Sequence, residues 1–162
     1  MKVYFASDHA GFELKSTLIE YVKSLGYEAE DVGAHEYSAD DDYPDFVKPC
    51  AGKVAADKTS RGIVIGGTGQ GEMMCANKVS GIRAALFYGS VVAKHEVDID
   101  GRTSTDPHEI VHLARLHNDA NVLALSSRFL DVEEAKKAME VFLDTPFSGE
   151  ERHVRRIGKL GL

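Results

Sequence analysis

Four glycines fall within six residues at Gly66-Gly67-Thr68-Gly69-Gln70-Gly71, after the apolar run that starts at Arg61 and just before Glu72. Glycine tolerates positive φ and lets backbone N–H groups approach a ligand closely. Where such a turn opens a helix, the first N–H groups lack intrahelical partners and carry the positive end of the helix dipole. The product is a nest for a small anion. No GK[ST] follows, as a P-loop would require, and the run is not a clear GxGxxG fingerprint. On the glycines alone, a tight strand-to-helix turn without chemistry stays open as a reading. Glu72 adds a carboxylate beside the nest. It is either a partner for the helix dipole or a general base that takes a proton from a substrate carbon. In the second case the neighbouring N–H groups would stabilise the oxyanion that forms. A base and an anion hole in one turn suit chemistry alpha to a carbonyl.

A second pattern points elsewhere. His108-Glu109-Ile110-Val111-His112 fits HExxH, in which two histidines share a helical face and hold zinc, with the glutamate as base. Asp106-Pro107 offers a helix start. Yet no third ligand stands at the expected spacing, and a short pattern arises easily by chance in a chain with seven histidines. We expect no metal: His112 should lie on a helix leading to His117, and His108 near the surface. Arg152 and Arg156, four apart on a final helix, share one face. Guanidinium forks suit phosphate oxygens, although a solvated basic helix end has the same pattern.

The elements that position these groups read as alternating strands and helices. Strands are expected at Val3–Ala6, Tyr27–Val32, Arg61–Ile65, Arg83–Phe87 and Asn121–Leu125. Helices are expected at Gly11–Leu25, Asp45–Ala56, Glu72–Val79, Asp131–Leu143 and Ser148–Lys159, with Asp8 and Asp131 as N-caps. Such alternation implies a three-layer α/β/α sandwich around a Rossmann-like five-stranded parallel sheet, here in one domain over all 162 residues. Ligands bind outside the carboxyl ends of such strands, which picks out Ser7–Gly11, Gly66–Glu72 and Ser126–Arg128. His35–Asp42 reads as an acidic loop closed by Tyr43-Pro44, and Gly89–Pro107 as a long surface excursion.

The totals exclude several classes. A formal net charge of -7 argues against general nucleic-acid binding. No apolar run approaches the ~20 residues that cross a bilayer, and the N-terminus lacks signal-peptide features. The two cysteines, Cys50 and Cys75, make no CxxC pair or disulfide framework, so a reducing cytoplasm fits. Cys75, inside a helix, reads as packing rather than nucleophile.

The motifs Ser7-Asp8-His9-Ala10-Gly11, Asp42-Tyr43-Pro44, Gly62 to Gly71, Ala76-Asn77-Lys78, Gly81-Ile82-Arg83, His117-Asn118 and Ser127-Arg128 run in order over nearly the whole chain. In this the chain resembles the ribose-5-phosphate isomerase B family, within the wider group that includes galactose-6-phosphate isomerase subunits. The resemblance implies aldose–ketose interconversion of a phosphorylated sugar through an enediolate, without metal or cofactor. Glu72 matches the base that moves the proton between C1 and C2. Part of the family uses a cysteine at the position of Gly66; this chain matches the glutamate type. His117 matches the ring-opening acid, where the residues alone also allow a helix-end cap. Asn118, with Gly67, Thr68, Gly69, Gln70 and Gly71, matches the anion hole for the enediolate. Asp8, His9 and Tyr43 match substrate-binding positions, and Arg128, Arg152 and Arg156 the phosphate clamp. The resemblance further implies a homodimer or tetramer whose sites are shared between subunits, with the C-terminal helix docking on a partner. The connection over Lys94–His108 is longer than the family pattern, which bears on substrate choice and assembly. A hexose 6-phosphate, such as galactose or allose 6-phosphate, or a tetrulose 4-phosphate is the alternative substrate. A non-catalytic sugar-phosphate sensor is the alternative of another class.

Overall fold

The computed structural model describes residues 1–161. Five strands, β1 (Lys2–Ser7), β2 (Glu28–Asp31), β3 (Arg61–Gly66), β4 (Ala84–Phe87) and β5 (Val122–Ser126), form one sheet in the order β2-β1-β3-β5-β4. Every neighbouring pair is parallel. Side chains alternate across the pleat, so each central strand serves two cores. Val3, Phe5, Ile63, Ile65, Leu123 and Leu125 pack with α1 (Phe12–Ser24), α4 (Glu109–Asn118) and α5 (Val132–Asp144). Tyr4, Ala6, Val64 and Ala124 pack with α2 (Pro44–Ala56) and α3 (Gln70–Ala76) on the other face. The three-layer architecture read from the alternation is therefore present. A last helix, α6 (Glu151–Gly158), packs outside α4.

The boundaries that differ have local causes. Asp8 accepts from the N–H groups of Ala10 (3.0 Å) and Gly11 (3.3 Å), which winds a 3-10 turn over His9–Gly11 before α1 starts at Phe12. The third helix begins at Gln70, not Glu72, because Gly69 takes the left-handed φ of 73° that turns the chain into it. It stops at Ala76 because the Asn77 amide leaves for the sheet edge. Asn77 accepts from the Ala84 N–H (2.9 Å) and donates to the Ala84 carbonyl (3.0 Å). The final helix is shorter than expected because Ser148 donates its N–H to the Leu116 carbonyl (3.1 Å), holding that stretch along α4.

Gly89–Pro107 carries no helix or strand, as expected of a surface excursion, but it is closed on itself. Val97 N–H bonds to the Arg102 carbonyl (2.7 Å), and the Arg102 guanidinium bridges Asp98 (3.1 Å) and Glu109 (2.7 Å). No helix among the described residues is long and apolar enough to cross a membrane.

Candidate active site

At the carboxyl edge of the sheet the three stretches picked out by the fold rule converge. Gly66 stands in register with Ser126. The N–H of Ser127 reaches the Gly66 carbonyl (2.9 Å), and the N–H of Arg128 and the hydroxyl of Ser126 reach that of Gly67 (3.2 and 2.8 Å). These bonds tie down the turn's carbonyls and fix its peptide planes. Thr68 accepts from the N–H of Gln70 (3.4 Å), while Gly71 lies under the Tyr43 ring, with room for no side chain. The Arg128 guanidinium crosses over Gly67, about 3.1 Å from where a Cβ would stand.

Glu72 is 4% exposed, in the first turn of α3. Its carboxylate lies directly over Gly66, so closely that a Cβ on residue 66 would overlap it. Burial pushes its pKa up, and the negative charge of Asp8 pushes the same way against the opposing pull of Glu72's own backbone N–H. Close by, Asp41 accepts from both the backbone N–H (3.0 Å) and Nδ1 (2.7 Å) of His9. This hydrogen bond is the main reason the His9 pKa is raised; Asp8 adds to the effect and Arg128 opposes it. Asp8, His9, Tyr43, Gly67–Gly71, Glu72 and Arg128 thus occupy one edge.

The remaining predicted residues do not. His117 and Asn118 end α4, which returns to the start of β5. Arg83, just before β4, donates Nε to the carbonyls of Asn118 and Asp119, both at 2.9 Å. This is the amino edge of the sheet. Rising ~3.3 Å per residue, β5 separates the two edges by more than about 13 Å. The expectation that Glu72 and His117 belong to one pocket is therefore not met within one chain. At the amino edge His117 stacks on His153, with ring centroids 4.3 Å apart. Burial lowers the His117 pKa, and the charges of His153 and Arg152 lower it further. His117, Arg152 and Arg156 line a cavity of about 290 Å³, closed on one side by residues 96–99 of the excursion. Arg152 also pairs with Glu150 (2.8 Å). The expected phosphate clamp is split: Arg128 stands at one edge, Arg152 and Arg156 at the other.

The HExxH pattern dissolves on inspection of its parts. His108 precedes α4 rather than lying within it, and it is 9% exposed, stacked on Phe87 at 5.5 Å, not near the surface as expected. Glu109 is held by Arg102 (2.7 Å) and Ser104 (2.6 Å), which keep its pKa low against the effect of burial. Among the described residues, the group whose ligand atoms gather within 4.8 Å is Asp8, His9 and Asp41, and there Asp41 engages the His9 Nδ1. Cys75 is buried and its pKa is raised mainly by that burial, as a packing residue requires. Two neighbours of these residues were missed in the sequence. Asp41 looked like one more charge in an acidic loop, and His153 carried no spacing that tied it to His117.

The match to known proteins covers almost the whole chain. Residues 3–101 and 103–160 match the family model described as Ribose/Galactose Isomerase. The ribose-5-phosphate isomerase B of Mycobacterium tuberculosis is 42% identical over 97% of this chain and 86% of its own length. The probable ribose-5-phosphate isomerase B of Mycoplasma pneumoniae is 42% identical over 98% and 91%. The crystal structure of ribose-5-phosphate isomerase B from Mycoplasma genitalium, with bound ribulose-5-phosphate, superposes with a TM-score of 0.84 at 39% identity, over 98% of this chain and 93% of that one. The Thermotoga maritima enzyme gives 0.82 at 37%, over 99% and 97%. This chain belongs to the ribose/galactose isomerase family.

Proposed function

We propose that this protein interconverts ribose 5-phosphate and ribulose 5-phosphate by moving a proton between C1 and C2 through an enediolate. The observation that carries the reading is the buried Glu72 carboxylate over Gly66. It is a base desolvated enough to bind a proton readily, set at the start of the glycine turn. His117 donates a proton to the ring oxygen and opens the cyclic sugar. Glu72 takes the proton from C2 of the aldose and returns it to C1 while a second proton passes from O2 to O1, so the step balances without a cofactor. The backbone N–H groups of Gly67–Gly71 and the Asn118 amide hold the charge that develops on the enediolate oxygens.

Because Glu72 and His117 lie at opposite edges of the sheet, the complete site needs two chains. In a two-fold dimer the His117 edge of each copy meets the Glu72 edge of the other, creating two equal sites. Arg128 then clamps the phosphate from one chain, and Arg152 and Arg156 from α6 of the other. This makes α6 a docking element of one isomerase domain. Free Cys50 and Cys75 fit a reducing cytoplasm.

Glu72→Gln should retain the fold by circular dichroism and lose roughly 10²- to 10⁴-fold in isomerisation of ribose 5-phosphate. Deuterium incorporation from solvent should fall with it. Near wild-type turnover in that variant would remove Glu72 as the base. A panel of pentose 5-, hexose 6- and tetrulose 4-phosphates should show the highest kcat/KM for the pentose; a hexose preference would reassign the substrate while keeping the chemistry.

A further inference from the structure

Asp41 lies 32 residues from His9 in sequence, in the loop before α2, yet one of its oxygens binds His9 twice. Its side chain is only 9% exposed, and its second oxygen, Oδ2, is buried with no partner. A buried carboxylate with an unpaired oxygen is costly unless a cation offsets its charge. A neutral imidazole would satisfy the hydrogen bond and leave the charge unmet; an imidazolium answers both. With Nδ1–H committed to Asp41, the other ring nitrogen, Nε2, is left as a donor on the opposite side of the ring. The ring keeps 31% of its side-chain surface open.

We infer that Asp41 is a positioning residue for His9: it fixes the ring with Nε2–H outward and holds it as a cation that binds the anionic end of the substrate. The charged groups facing His9 are Asp41 and Asp8, which favour the cation, and Arg128, which opposes it. The remaining aromatic neighbour is Tyr37, edge-on at 6.4 Å. Arg128 weakens the imidazolium when the site is empty, but a phosphate bound to both groups would cancel that repulsion. The acidic loop thereby becomes part of the binding machinery rather than a solvated connector. The inference rests on the assignment of His9 as a substrate-binding residue, but its first test requires no turnover.

That test follows the His9 ring by NMR through a pH titration, with and without inorganic phosphate. In the wild type, His9 should titrate above an ordinary histidine, and phosphate should raise the midpoint further. Asp41→Asn keeps an acceptor for Nδ1–H but removes the charge, so His9 should titrate lower. In steady-state kinetics this variant should leave kcat within about twofold and raise KM about tenfold at pH ~8, the size of one charge-assisted contact. The KM ratio to wild type should shrink toward pH ~6, where the ring protonates unaided. Asp41→Ala loses orientation as well, so its KM should rise at both pH values. A His9 midpoint unchanged in Asp41→Asn, or insensitive to phosphate in the wild type, overturns the inference whether or not the chain is an isomerase. So does a KM ratio that stays flat with pH, or a loss confined to kcat. If Asp41→Asn fails to fold, the phosphate titration of the wild type still decides.

Discussion

The two edges of the sheet are built on different principles. At the carboxyl edge the Glu72 carboxylate is sunk into the turn, its pKa raised mainly by burial, with Gly66 beneath it and the Gly66 and Gly67 carbonyls bound. At the amino edge an imidazole, two guanidiniums and a second imidazole stand around an open cavity, and burial with neighbouring positive charge lowers the His117 pKa. The Glu72 shift is toward neutrality and the His117 shift away from it, so the two pKa values approach each other from opposite sides. As the proposed base for a carbon-bound proton, Glu72 gains from rigidity, and the turn provides it. In the proposed site, the clamp cations Arg152 and Arg156 gain from being reachable, and an outer helix provides that. In the proposed dimer neither edge is competent by itself, and two copies together supply what each lacks.

The sharpest way to break this comparison is subunit complementation. Glu72→Gln and His117→Ala should each be nearly inactive. Mixed, dissociated and reassociated, they should regain about a quarter of wild-type activity, since half the dimers are mixed and each of those holds one intact site. If each site were contained in one chain, mixing would recover nothing, and that result would end the two-edge picture. Next in size is Gly66→Ala. The added methyl overlaps the Glu72 carboxylate and must move it, so turnover should fall on the order of 10²-fold. Overpacking should cost about 1–3 kcal/mol in urea unfolding. Gly52→Ala, in open space on α2, is the control and should be neutral or slightly stabilising. Wild-type activity in Gly66→Ala would show that the carboxylate has room to spare.

The smallest effect lies in the pH profile. In the proposed mechanism Glu72 acts ionised, and its pKa is raised, so the acid limb of kcat/KM should sit above the ordinary carboxylate range. In the same mechanism His117 opens the ring in its protonated form, and its pKa is lowered, so its basic limb should sit below an ordinary histidine. The working window is narrowed from both sides. An open-chain substrate should lose the His117 limb alone and keep the limb that His9 sets at higher pH; retention of the His117 limb would place the titrating acid elsewhere.

Legibility in the sequence followed the range of the interactions. The strands and helices were readable because the period of apolar residues is local, as in Val3 and Phe5 against Tyr4 and Ala6. The Asp8 and Asp131 caps were readable because each acts within three residues. Glu72 stood out because base and glycine turn are adjacent. The helix end at Ala76 was missed because the Asn77 amide is recruited by Ala84, across a turn. Asp41 and His153 were missed because their partners, His9 and His117, lie 32 and 36 residues away in sequence. The separation of Glu72 from His117 follows from strand order and helix direction, which no motif spacing records.

The overlap between position 66 and the Glu72 carboxylate also limits the routes by which the base can change. A thiol base at position 66 brings a Cβ into space that the carboxylate already fills. With Glu72 as the proposed base, Gly66→Cys made first crowds it, and Glu72 removed first leaves no base at all. Conversion between the two chemistries therefore passes through a crippled intermediate unless both positions change together. Sequences in this family should hold one base or the other, with position 66 and position 72 inherited as a linked pair.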